Sequence, residues 1–411
     1  MDAAEHSPVQ REVRAQPQAS DIPGIHGTPA VIWNLVVKVA ARCNIDCSYC
    51  YWFRDPSVYE APKLMSELVA NQLLFRVKEH ILRYSLPEFY MVLHGGEPLL
   101  WGRANFESFA EKCRRIKDET GCPVRVAATT NGILIDEEWL DCFQRNDIGV
   151  TVSIDGPAHV HDVHRKTFAG GPTHALVERA IRLLESREMP FGVLAVCNPA
   201  FEAKEYFDYF SSIGASQYDI LFPDSNFEGK RNNIANFYSD LFDLWLAANQ
   251  KERTVRIRTV EAMLSGLIGG TSESEAIGYG SEELCTILTD GSIEPLDVLR
   301  IAGDASTRTN CNVFDNALQD IVSEPRWKAA RDASLNLCEK CRKCKFMAGC
   351  GGGYLPHRYS KENGYSNPSV YCDDLYATFE HMQGAIEKHL YISKSNGERV
   401  NVREAMTSPT R

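Results

Sequence analysis

The segment Ala41-Arg-Cys43-Asn-Ile-Asp-Cys47-Ser-Tyr-Cys50-Tyr-Trp52 places three cysteines on one short loop with the spacing C-x3-C-x2-C. The apolar, β-branched run Val31–Val39 precedes this loop and predicts a strand. Three thiolates on such a loop can hold three corners of a [4Fe–4S] cube, which leaves the fourth iron without a cysteine ligand. An open coordination position of this kind is what substrate or cofactor chemistry at a metal requires.

A zinc loop, or three buried structural cysteines, is the alternative for this segment. Zinc sites usually combine a C-x2-C pair with a second pair of ligands, and no second pair follows Cys50 closely. The chain has 14 cysteines, several of them clustered, and no apolar export segment at its N-terminus. Clustered cysteines in the cytosol indicate metal ligands or catalytic thiols rather than disulfides, and we therefore expect a cytoplasmic protein.

Strand-like runs alternate with segments of helical spacing after the cysteine loop. Six alternations predict parallel βα units, so the expected fold class is α/β, with a partial (β/α)6 TIM-like barrel that stops short of the eight units of a closed one. The predicted strands are Val31–Val39, Phe89–Leu93, Val124–Thr129, Val150–Ile154, Phe191–Val196 and Tyr218–Phe222. The predicted helices are Ser66–Arg83, Asn105–Ile116, Asp136–Phe143, His174–Ser186, Asn233–Asn249 and Leu375–Leu390.

Composition divides the 411 residues into four parts. Residues 1–28 are polar and aperiodic and are predicted to be a disordered leader. Residues 29–265 are assigned to the barrel, and the Gly- and Ser-rich stretch that follows marks a boundary. Residues 280–392 are assigned to a cysteine-rich auxiliary domain, and residues 393–411 to a flexible tail.

Charge and hydropathy exclude two classes of partner. The formal net charge is -11 and the chain has no basic block, so we expect no binding to nucleic acid. No run of eighteen apolar residues is present, so we expect no membrane-spanning segment. The N-terminal segment also lacks the apolar region of a secretory signal.

Polar motifs follow three of the predicted strands. They are His94-Gly95-Gly96-Glu97-Pro98, Thr129-Thr130-Asn131-Gly132, and Ser153-Ile-Asp155-Gly156-Pro157 with Arg165 downstream. The glycines let backbone approach a ligand closely, and the Glu97 carboxylate can accept hydrogen bonds from an ammonium. Each motif alone has the composition of an ordinary turn. Together they lie at the carboxyl ends of successive strands, where barrel enzymes place their sites.

With these motifs, the cysteine loop resembles the radical S-adenosylmethionine (SAM) superfamily. The resemblance implies that Cys43, Cys47 and Cys50 hold a [4Fe–4S] cluster whose open iron chelates the methionine part of SAM. Reductive cleavage of SAM then gives a 5′-deoxyadenosyl radical, which abstracts a hydrogen atom from the substrate. The resemblance also implies a set of cofactor-binding residues: Tyr49, Gly95, Gly96, Glu97, Asn131, Ser153 and Arg165.

A second cysteine cluster lies near the C-terminus. It reads Cys338-Glu-Lys-Cys341-Arg-Lys-Cys344-Lys-Phe-Met-Ala-Gly-Cys350, with Cys372 downstream. This spacing is a strong metal signal, with zinc as the alternative to iron–sulfur. The segment resembles the SPASM domain, which implies that Cys341, Cys344, Cys350 and Cys372 ligate an auxiliary [4Fe–4S] cluster.

The sequence departs from the SPASM pattern where a second auxiliary cluster would lie. Leu296 and Tyr354 occupy two places where full SPASM domains have cysteines. Three further cysteines in this part of the sequence, Cys285, Cys311 and Cys338, are either buried thiols or the ligands of a second cluster with an open iron. We favour buried thiols.

Asp297 follows Leu296 directly. In the sulfatase-maturing relatives an aspartate at this place acts as a base on the substrate. We therefore take Asp297 as the candidate catalytic residue.

The stretch from Gly351 to Leu375 resembles the peptide maturases that form cyclophane crosslinks, including those that act on glycine-rich repeat precursors. The resemblance implies a radical SAM oxidoreductase or maturase that crosslinks a ribosomal peptide through a C–C bond in natural-product biosynthesis. Its partners would be a precursor peptide and an electron donor of the flavodoxin or ferredoxin type. Ala302 stands where the group usually has a cysteine. Two alternatives therefore stay open: radical modification of a small molecule such as a nucleoside or sugar in an antibiotic pathway, including sulfur insertion, and a non-catalytic iron–sulfur redox protein.

Overall fold

The computed structural model describes residues 31–250, 255–270, 272, 274–278, 284–303, 305–389, 391–393 and 399–401. The predicted leader, residues 1–28, lies outside these residues. Among them, no helix is long and apolar enough to cross a membrane.

A nine-stranded sheet forms the centre of the described fold. Its strands in chain order are β1 (Asn34–Ala40), β2 (Phe89–Gly95), β3 (Val124–Thr130), β4 (Ile148–Ser153), β5 (Gly192–Val196), β6 (Gln217–Leu221), β7 (Arg256–Ile257), β8 (Leu284–Ile287) and β9 (Ile293–Glu294). Their spatial order is β9-β8-β1-β2-β3-β4-β5-β6-β7, and every neighbouring pair is parallel except β8–β9. The six predicted strands are all present, and the sheet is an open, TIM-like α/β barrel, as expected.

Ten helices of seven or more residues are described. They are α1 (Glu67–Tyr84), α2 (Arg103–Thr120), α3 (Glu137–Asn146), α4 (Ala158–His164), α5 (His174–Ser186), α6 (Ala203–Ser212), α7 (Ala235–Asn249), α8 (Arg258–Leu267), α9 (Pro325–Leu335) and α10 (Cys372–His389). Shorter α-helical turns cover Tyr51–Arg54, Glu339–Arg342 and Met347–Cys350, and 3-10 turns cover Pro56–Tyr59, Pro98–Trp101, Asp297–Ala302, Leu318–Ser323 and Leu355–Arg358.

Strand alternation decides which side chains enter the barrel. In β2, Phe89, Met91 and Leu93 are buried, and the alternate residues are half-buried. Successive side chains of a strand point to opposite faces, so His94 lies on the face opposite Leu93. Lys38 in β1 alternates with Val37 in the same way and is completely buried. Lys38 and His94, which are register partners, thus lie side by side on one face of the sheet.

The cysteine-rich part of the chain joins the barrel sheet directly. β8 pairs with β1 in parallel, with Cys285 opposite Leu35. The turn Met347–Cys350 packs on α8, because a Cβ on Gly266 would lie only 2.5 Å from the Cα of Gly349. The auxiliary part is therefore built on the barrel and is not a separate sheet.

One part of the predicted tail has regular structure. Tyr391–Ser393 pairs antiparallel with Arg399–Asn401. Ser393 and Arg399–Asn401 of this ladder fall within residues 393–411, for which a flexible tail stays the prediction. The rest of that segment lies outside the described residues.

Candidate active site

Two glycines after β2 pack against the cysteine loop. The backbone N–H of Gly96 donates to Ala40 O at 2.8 Å, and that of Glu97 donates to Arg42 O at 2.9 Å. A Cβ on Gly95 would lie 2.0 Å from Ala40 O, and one on Gly96 would lie 2.2 Å from Arg42 O. Only glycine permits this approach, so both glycines hold the loop that carries the cysteines.

The three loop cysteines are half-buried. Burial raises the pKa of Cys43 to about 12 and that of Cys47 to about 11, so these thiols ionise when a metal supplies positive charge. Among the described residues, no three His, Cys, Asp or Glu side chains surround a single ion. A cube binds each thiolate at a separate iron, so this donor set fits a [4Fe–4S] cluster with one open position better than zinc.

Asn131 connects the end of β3 to the cysteine loop. Its Nδ2 donates to Asn44 Oδ1 at 2.7 Å and lies 3.7 Å from Cys43 Sγ. Its Oδ1 accepts from the backbone N–H of Ile133 at 3.1 Å. The amide therefore lies beside the predicted cluster, within reach of a ligand there.

Glu97 is completely buried, and protein donors occupy both of its oxygens. Oε1 accepts from Leu99 N at 3.0 Å and from Thr130 Oγ1 at 2.7 Å. Oε2 accepts from Asn131 N at 2.8 Å. Burial raises the pKa of Glu97 to about 7, although these hydrogen bonds oppose the rise. In this conformation Glu97 joins the ends of β2 and β3. Each carboxylate oxygen can accept more than one hydrogen bond, so the predicted contact with an ammonium would use a further lone pair on these oxygens.

Asp155 joins two of the predicted cofactor residues. Its Oδ2 accepts from Tyr49 OH at 2.5 Å and from Arg165 Nε at 2.9 Å. The Arg165 guanidinium carbon lies 5.6 Å from the centre of the Tyr49 ring. Burial acts to raise the pKa of Asp155, but the charge of Arg165 and the hydrogen bonds outweigh it and lower the pKa. Ser153, at the end of β4, lies two residues before this cluster and is half-buried.

A second charged group occupies the barrel interior. Lys38 Nζ forms an ion pair with Asp297, lies 3.1 Å from Tyr51 OH and 3.3 Å from His94 Nδ1. Tyr51 OH also donates to Asp297 Oδ2 at 2.6 Å. Tyr51 follows Cys50, so this group lies beside the cysteine loop. The predicted Asp297 is thus in the barrel interior, but it already has two partners.

Charge neutralisation holds Asp297 ionised. Burial acts to raise its pKa, but Lys38, His94 and the hydrogen bonds lower it to about 2. Burial, together with Lys38, lowers the pKa of His94 to about 4. Near neutral pH the group therefore contains a carboxylate and a neutral imidazole. Sequence reasoning quoted His94 in a motif without giving it a role, and it missed Lys38, although a lysine in the middle of the apolar strand Asn34–Ala40 is a detectable signal.

A buried ion-pair network connects the cysteine loop to the auxiliary part. Arg300 binds Asp55 Oδ2 at 2.5 Å and also pairs with Glu294. The Trp52 ring lies between two cations, with Lys38 Nζ at 4.6 Å and the Arg300 guanidinium carbon at 4.7 Å from its centre. The turn that follows Cys50 is therefore fixed by residues more than 200 positions away.

The four predicted auxiliary ligands line one cavity of about 200 Å³. They are Cys341, Cys344, Cys350 and Cys372. Phe346, Met347 and Phe379 supply apolar walls, and burial raises the pKa of Cys350 to about 12. Four cysteines around one cavity form a complete donor set for a [4Fe–4S] cluster.

The three further cysteines that could hold a second auxiliary cluster do not form one group. Cys285 and Cys311 are buried in the main core, whereas Cys338 packs with Leu337, Cys341 and Met347. Leu296 and Tyr354 belong to a small apolar cluster. This arrangement favours buried thiols over a second auxiliary cluster.

Comparison with known proteins identifies the first part of the chain. Residues 37–200 match the Radical SAM superfamily. The chain is an enzyme with a radical SAM domain. Its cofactors are those that the motifs predicted, S-adenosylmethionine and iron–sulfur clusters, since the family match covers the cysteine loop and the strand-end motifs.

Similarity to individual known proteins extends along most of the chain. A cysteine-type anaerobic sulfatase-maturating enzyme of Clostridium perfringens (strain 13 / Type A) is 27% identical over 371 residues, which cover 85% of this chain and 95% of the relative. A serine-type enzyme of Bacteroides thetaiotaomicron is 25% identical over 389 residues, covering 85% of this chain and 89% of the relative. The solved structure of native anSMEcpe with bound AdoMet and Cp18Cys peptide matches with a TM-score of 0.76 at 24% identity, covering 87% of this chain and 98% of that one. The structural match confirms the expected fold, a radical SAM barrel followed by a cysteine-rich domain.

Proposed function

We propose that this radical SAM enzyme oxidises a ribosomal peptide and forms a C–C crosslink in it, as part of natural-product biosynthesis. The observation that carries the proposal is the convergence of Cys341, Cys344, Cys350 and Cys372 on one cavity. Crosslinking removes two hydrogens, so after one hydrogen atom is abstracted a second electron must leave the substrate. An auxiliary cluster next to the barrel provides the acceptor. Relatives that mature a protein substrate support a peptide as the substrate class.

The assignment of the cofactor residues is part of the proposal. Cys43, Cys47 and Cys50 would ligate the first cluster, while Tyr49 and Arg165 would contact SAM. The remaining proposed cofactor contacts come from Gly95, Gly96, Glu97, Asn131 and Ser153. When bound, the cluster and SAM supply the radical that takes a hydrogen atom from the substrate. The chain supplies placement, because Gly95 and Gly96 pack against the backbone of the cysteine loop and fix its position.

Asp297 would take the proton that leaves the peptide. Once a radical has added to an aromatic ring and one further electron has left the substrate, the ring proton is strongly acidic; a cluster held by the four C-terminal cysteines would accept that electron. A carboxylate with a pKa of about 2 is a weak base, but it suffices for so strong an acid. Lys38 and Tyr51 keep Asp297 ionised and oriented.

Oxidation of a peptide cysteine or serine side chain is the second candidate. It is favoured by the two relatives that cover 85% of the chain. Removing two hydrogens from a serine CH2OH group gives an aldehyde, so this reaction has the same electron balance as crosslinking. The two candidates differ in whether the product contains a carbonyl group.

Mass spectrometry of a peptide product tests both candidates. The reconstituted, reduced enzyme is incubated with SAM and a synthetic peptide that carries aromatic-x-x repeats and one serine. Crosslinking predicts a loss of about 2 Da per bond, resistance to a hydrazide reagent, and fragment ions missing between the joined residues. A product that loses the same mass and labels with hydrazide indicates the second candidate. An unchanged peptide, with 5′-deoxyadenosine formed in the presence of a nucleoside instead, would contradict a peptide substrate.

A further inference from the structure

We propose that Asp155 is a positioning residue, which holds Tyr49 and Arg165 against the cysteine loop and so pre-forms the SAM site. The inference rests on the proposed assignment of Tyr49 and Arg165 to cofactor binding. Asp155 lies within the Ser153–Pro157 motif but has no role in the chemistry proposed above. It is also 3% exposed, and a buried carboxylate needs a structural or functional reason.

The carboxylate of Asp155 connects three separate segments. Oδ2 accepts from Tyr49, which lies between Cys47 and Cys50, and from Arg165. Oδ1 accepts from the backbone N–H of Val196, at the end of β5, at 3.0 Å. Both oxygens therefore have hydrogen-bond donors. Through Asp155 the cysteine loop is joined to the segment after β4 and to the end of β5.

Arg165 is bound in a way that leaves its terminal nitrogens for a ligand. It contacts Asp155 through Nε, and within the described part of the chain its two terminal nitrogens have no protein hydrogen bond. Its backbone pairs with Cys47 in a two-residue antiparallel ladder. The guanidinium is thus fixed next to a proposed cluster ligand, with its fork available for a carboxylate such as that of the methionine part of SAM.

A neutral histidine supports this arrangement from behind. His161 Nδ1 accepts from the backbone N–H of Asp155 at 3.2 Å, and its Nε2 lies 3.0 Å from Thr173 Oγ1. The Thr173 hydroxyl donates in turn to Arg165 O at 2.7 Å. One continuous network of hydrogen bonds therefore holds both the side chain and the backbone of Arg165, and hydrogen bonds of this kind orient the groups that contact a ligand.

The chain contains a matched control for Asp155. Asp219 in β6 is 4% exposed, accepts from Arg258 Nε at 2.8 Å and accepts from the backbone N–H of Thr259 at 3.0 Å. It shares with Asp155 an arginine Nε donor and a backbone N–H donor, but these contacts include no tyrosine hydroxyl and none involves the cysteine loop. The variants Asp155→Asn and Asp219→Asn therefore remove equivalent charges, and each leaves an arginine without its carboxylate partner.

Binding of SAM to the reconstituted holoenzyme is measured by anaerobic equilibrium dialysis. We expect both variants to lose similar thermal stability, while only Asp155→Asn weakens SAM binding, by about 10- to 100-fold, the usual cost of losing a hydrogen-bond partner that orients a ligand-binding group. Tyr49→Phe, which removes one donor to Asp155 and keeps the ring, is expected to weaken binding by a smaller factor. If Asp155→Asn does not fold, Tyr49→Phe decides. The proposal is overturned if Asp155→Asn and Tyr49→Phe fold and bind SAM with wild-type affinity. It is also overturned if Asp155→Asn and Asp219→Asn lose SAM affinity equally.

A measurement without cofactor separates this proposal from the proposed function. Cluster-free protein is treated with iodoacetamide, and alkylation of Cys47 and Cys50 is followed by peptide mass spectrometry. We expect both cysteines to react several-fold faster in Asp155→Asn than in wild type or Asp219→Asn, because the loop has lost its tether. Unchanged rates overturn the positioning role. Failure of wild-type holoenzyme to bind SAM, with the rate difference intact, overturns the cofactor assignment alone.

Discussion

At the scale of single residues, buried charges are the main feature that shapes this site. Lys38 is completely buried and pairs with Asp297, which is 5% exposed. Removing one partner of a buried ion pair costs far more than the pair contributes, because it leaves an uncompensated charge in a poorly solvated place. The pair therefore couples the barrel to the auxiliary part, and removing either charge alone is expected to lower the free energy of unfolding.

We expect Lys38→Met to destabilise the protein by about 3–5 kcal/mol. Asp297→Asn should also destabilise it, and the double variant should recover part of the loss, because neither charge then remains unpaired. Urea unfolding of the cluster-free protein gives the double-mutant cycle. If the two single losses simply add, the two side chains are not coupled and the ion pair is not formed in solution.

His161 gives the folded protein a specific pH dependence. Burial, with Arg165 nearby, lowers its pKa to about 4, whereas an unfolded histidine has a pKa of about 6.5. Because the unfolded chain binds the proton more readily, the stabilisation is present above the unfolded pKa and is lost as pH falls toward about 4. We expect wild type to lose about 2 kcal/mol relative to His161→Gln between about pH 7 and about pH 5.

Thermal unfolding of the two proteins at matched pH values measures this difference. Comparing the variant with wild type cancels the pH-dependent contributions of other buried groups to stability. Glu97 is one of them, and because its pKa is raised to about 7, its contribution changes with pH in the opposite direction. A stability difference that does not change with pH would mean that His161 is not buried as a neutral imidazole.

At the scale of elements, close glycine packing joins the auxiliary part to the barrel. Gly266 in α8 faces Gly349 in the turn Met347–Cys350. A Cβ on Gly266 would lie 2.5 Å from Gly349 Cα, and a Cβ on Gly349 would lie 3.2 Å from the carbonyl carbon of Gly266. Cys350, a proposed ligand of the auxiliary cluster, is the next residue. Any displacement of this turn therefore moves a cluster ligand.

We expect Gly266→Ala to cost about 1–3 kcal/mol, as overpacking usually does, and to impair the auxiliary cluster. Bound iron should fall from about eight to about four per chain if each cluster holds four. Gly384→Ala in α10 is the control, because a Cβ there meets nothing within 4 Å and alanine favours a helix. Full iron content in Gly266→Ala would show that the turn adjusts without moving Cys350.

Element-scale patterns were largely predictable, whereas several contacts were not. The six strands with apolar, β-branched runs and helices such as His174–Ser186 have periodicities that local sequence shows. β7, β8 and β9 have two to four residues each, too few for a period. β8 exists because β1, some 250 positions away, offers a parallel edge. The ion pair between Lys38 and Asp297 could not be predicted from the sequence either, because only the fold brings β1 and the Asp297 turn together.

At the scale of the whole molecule, the arrangement of the cysteines predicts the number of clusters. One loop carries three cysteines, one cavity collects four, and Cys285, Cys311 and Cys338 are divided between two other environments. The strand-end motifs could be found from the sequence. Only the fold shows that Cys285 and Cys311 lie in one environment and Cys338 in another.

We expect a Cys43/Cys47/Cys50 triple-Ala variant, reconstituted with iron and sulfide, to bind about four irons per chain. That amount corresponds to one auxiliary cluster and no second. Iron and acid-labile sulfide analysis, with a matched wild-type sample at about eight irons, provides the measurement. About eight irons in the triple variant would mean that Cys285, Cys311 and Cys338 rearrange around a further cluster.

The central claim is that the cysteine loop and its strand-end motifs perform radical SAM chemistry. The direct measurement is chromatographic detection of 5′-deoxyadenosine from fully reconstituted, reduced enzyme and SAM. We predict that wild type forms 5′-deoxyadenosine and that Cys47→Ala, with its auxiliary iron retained, forms none. No product from wild type, or the same amount from Cys47→Ala, would contradict the account.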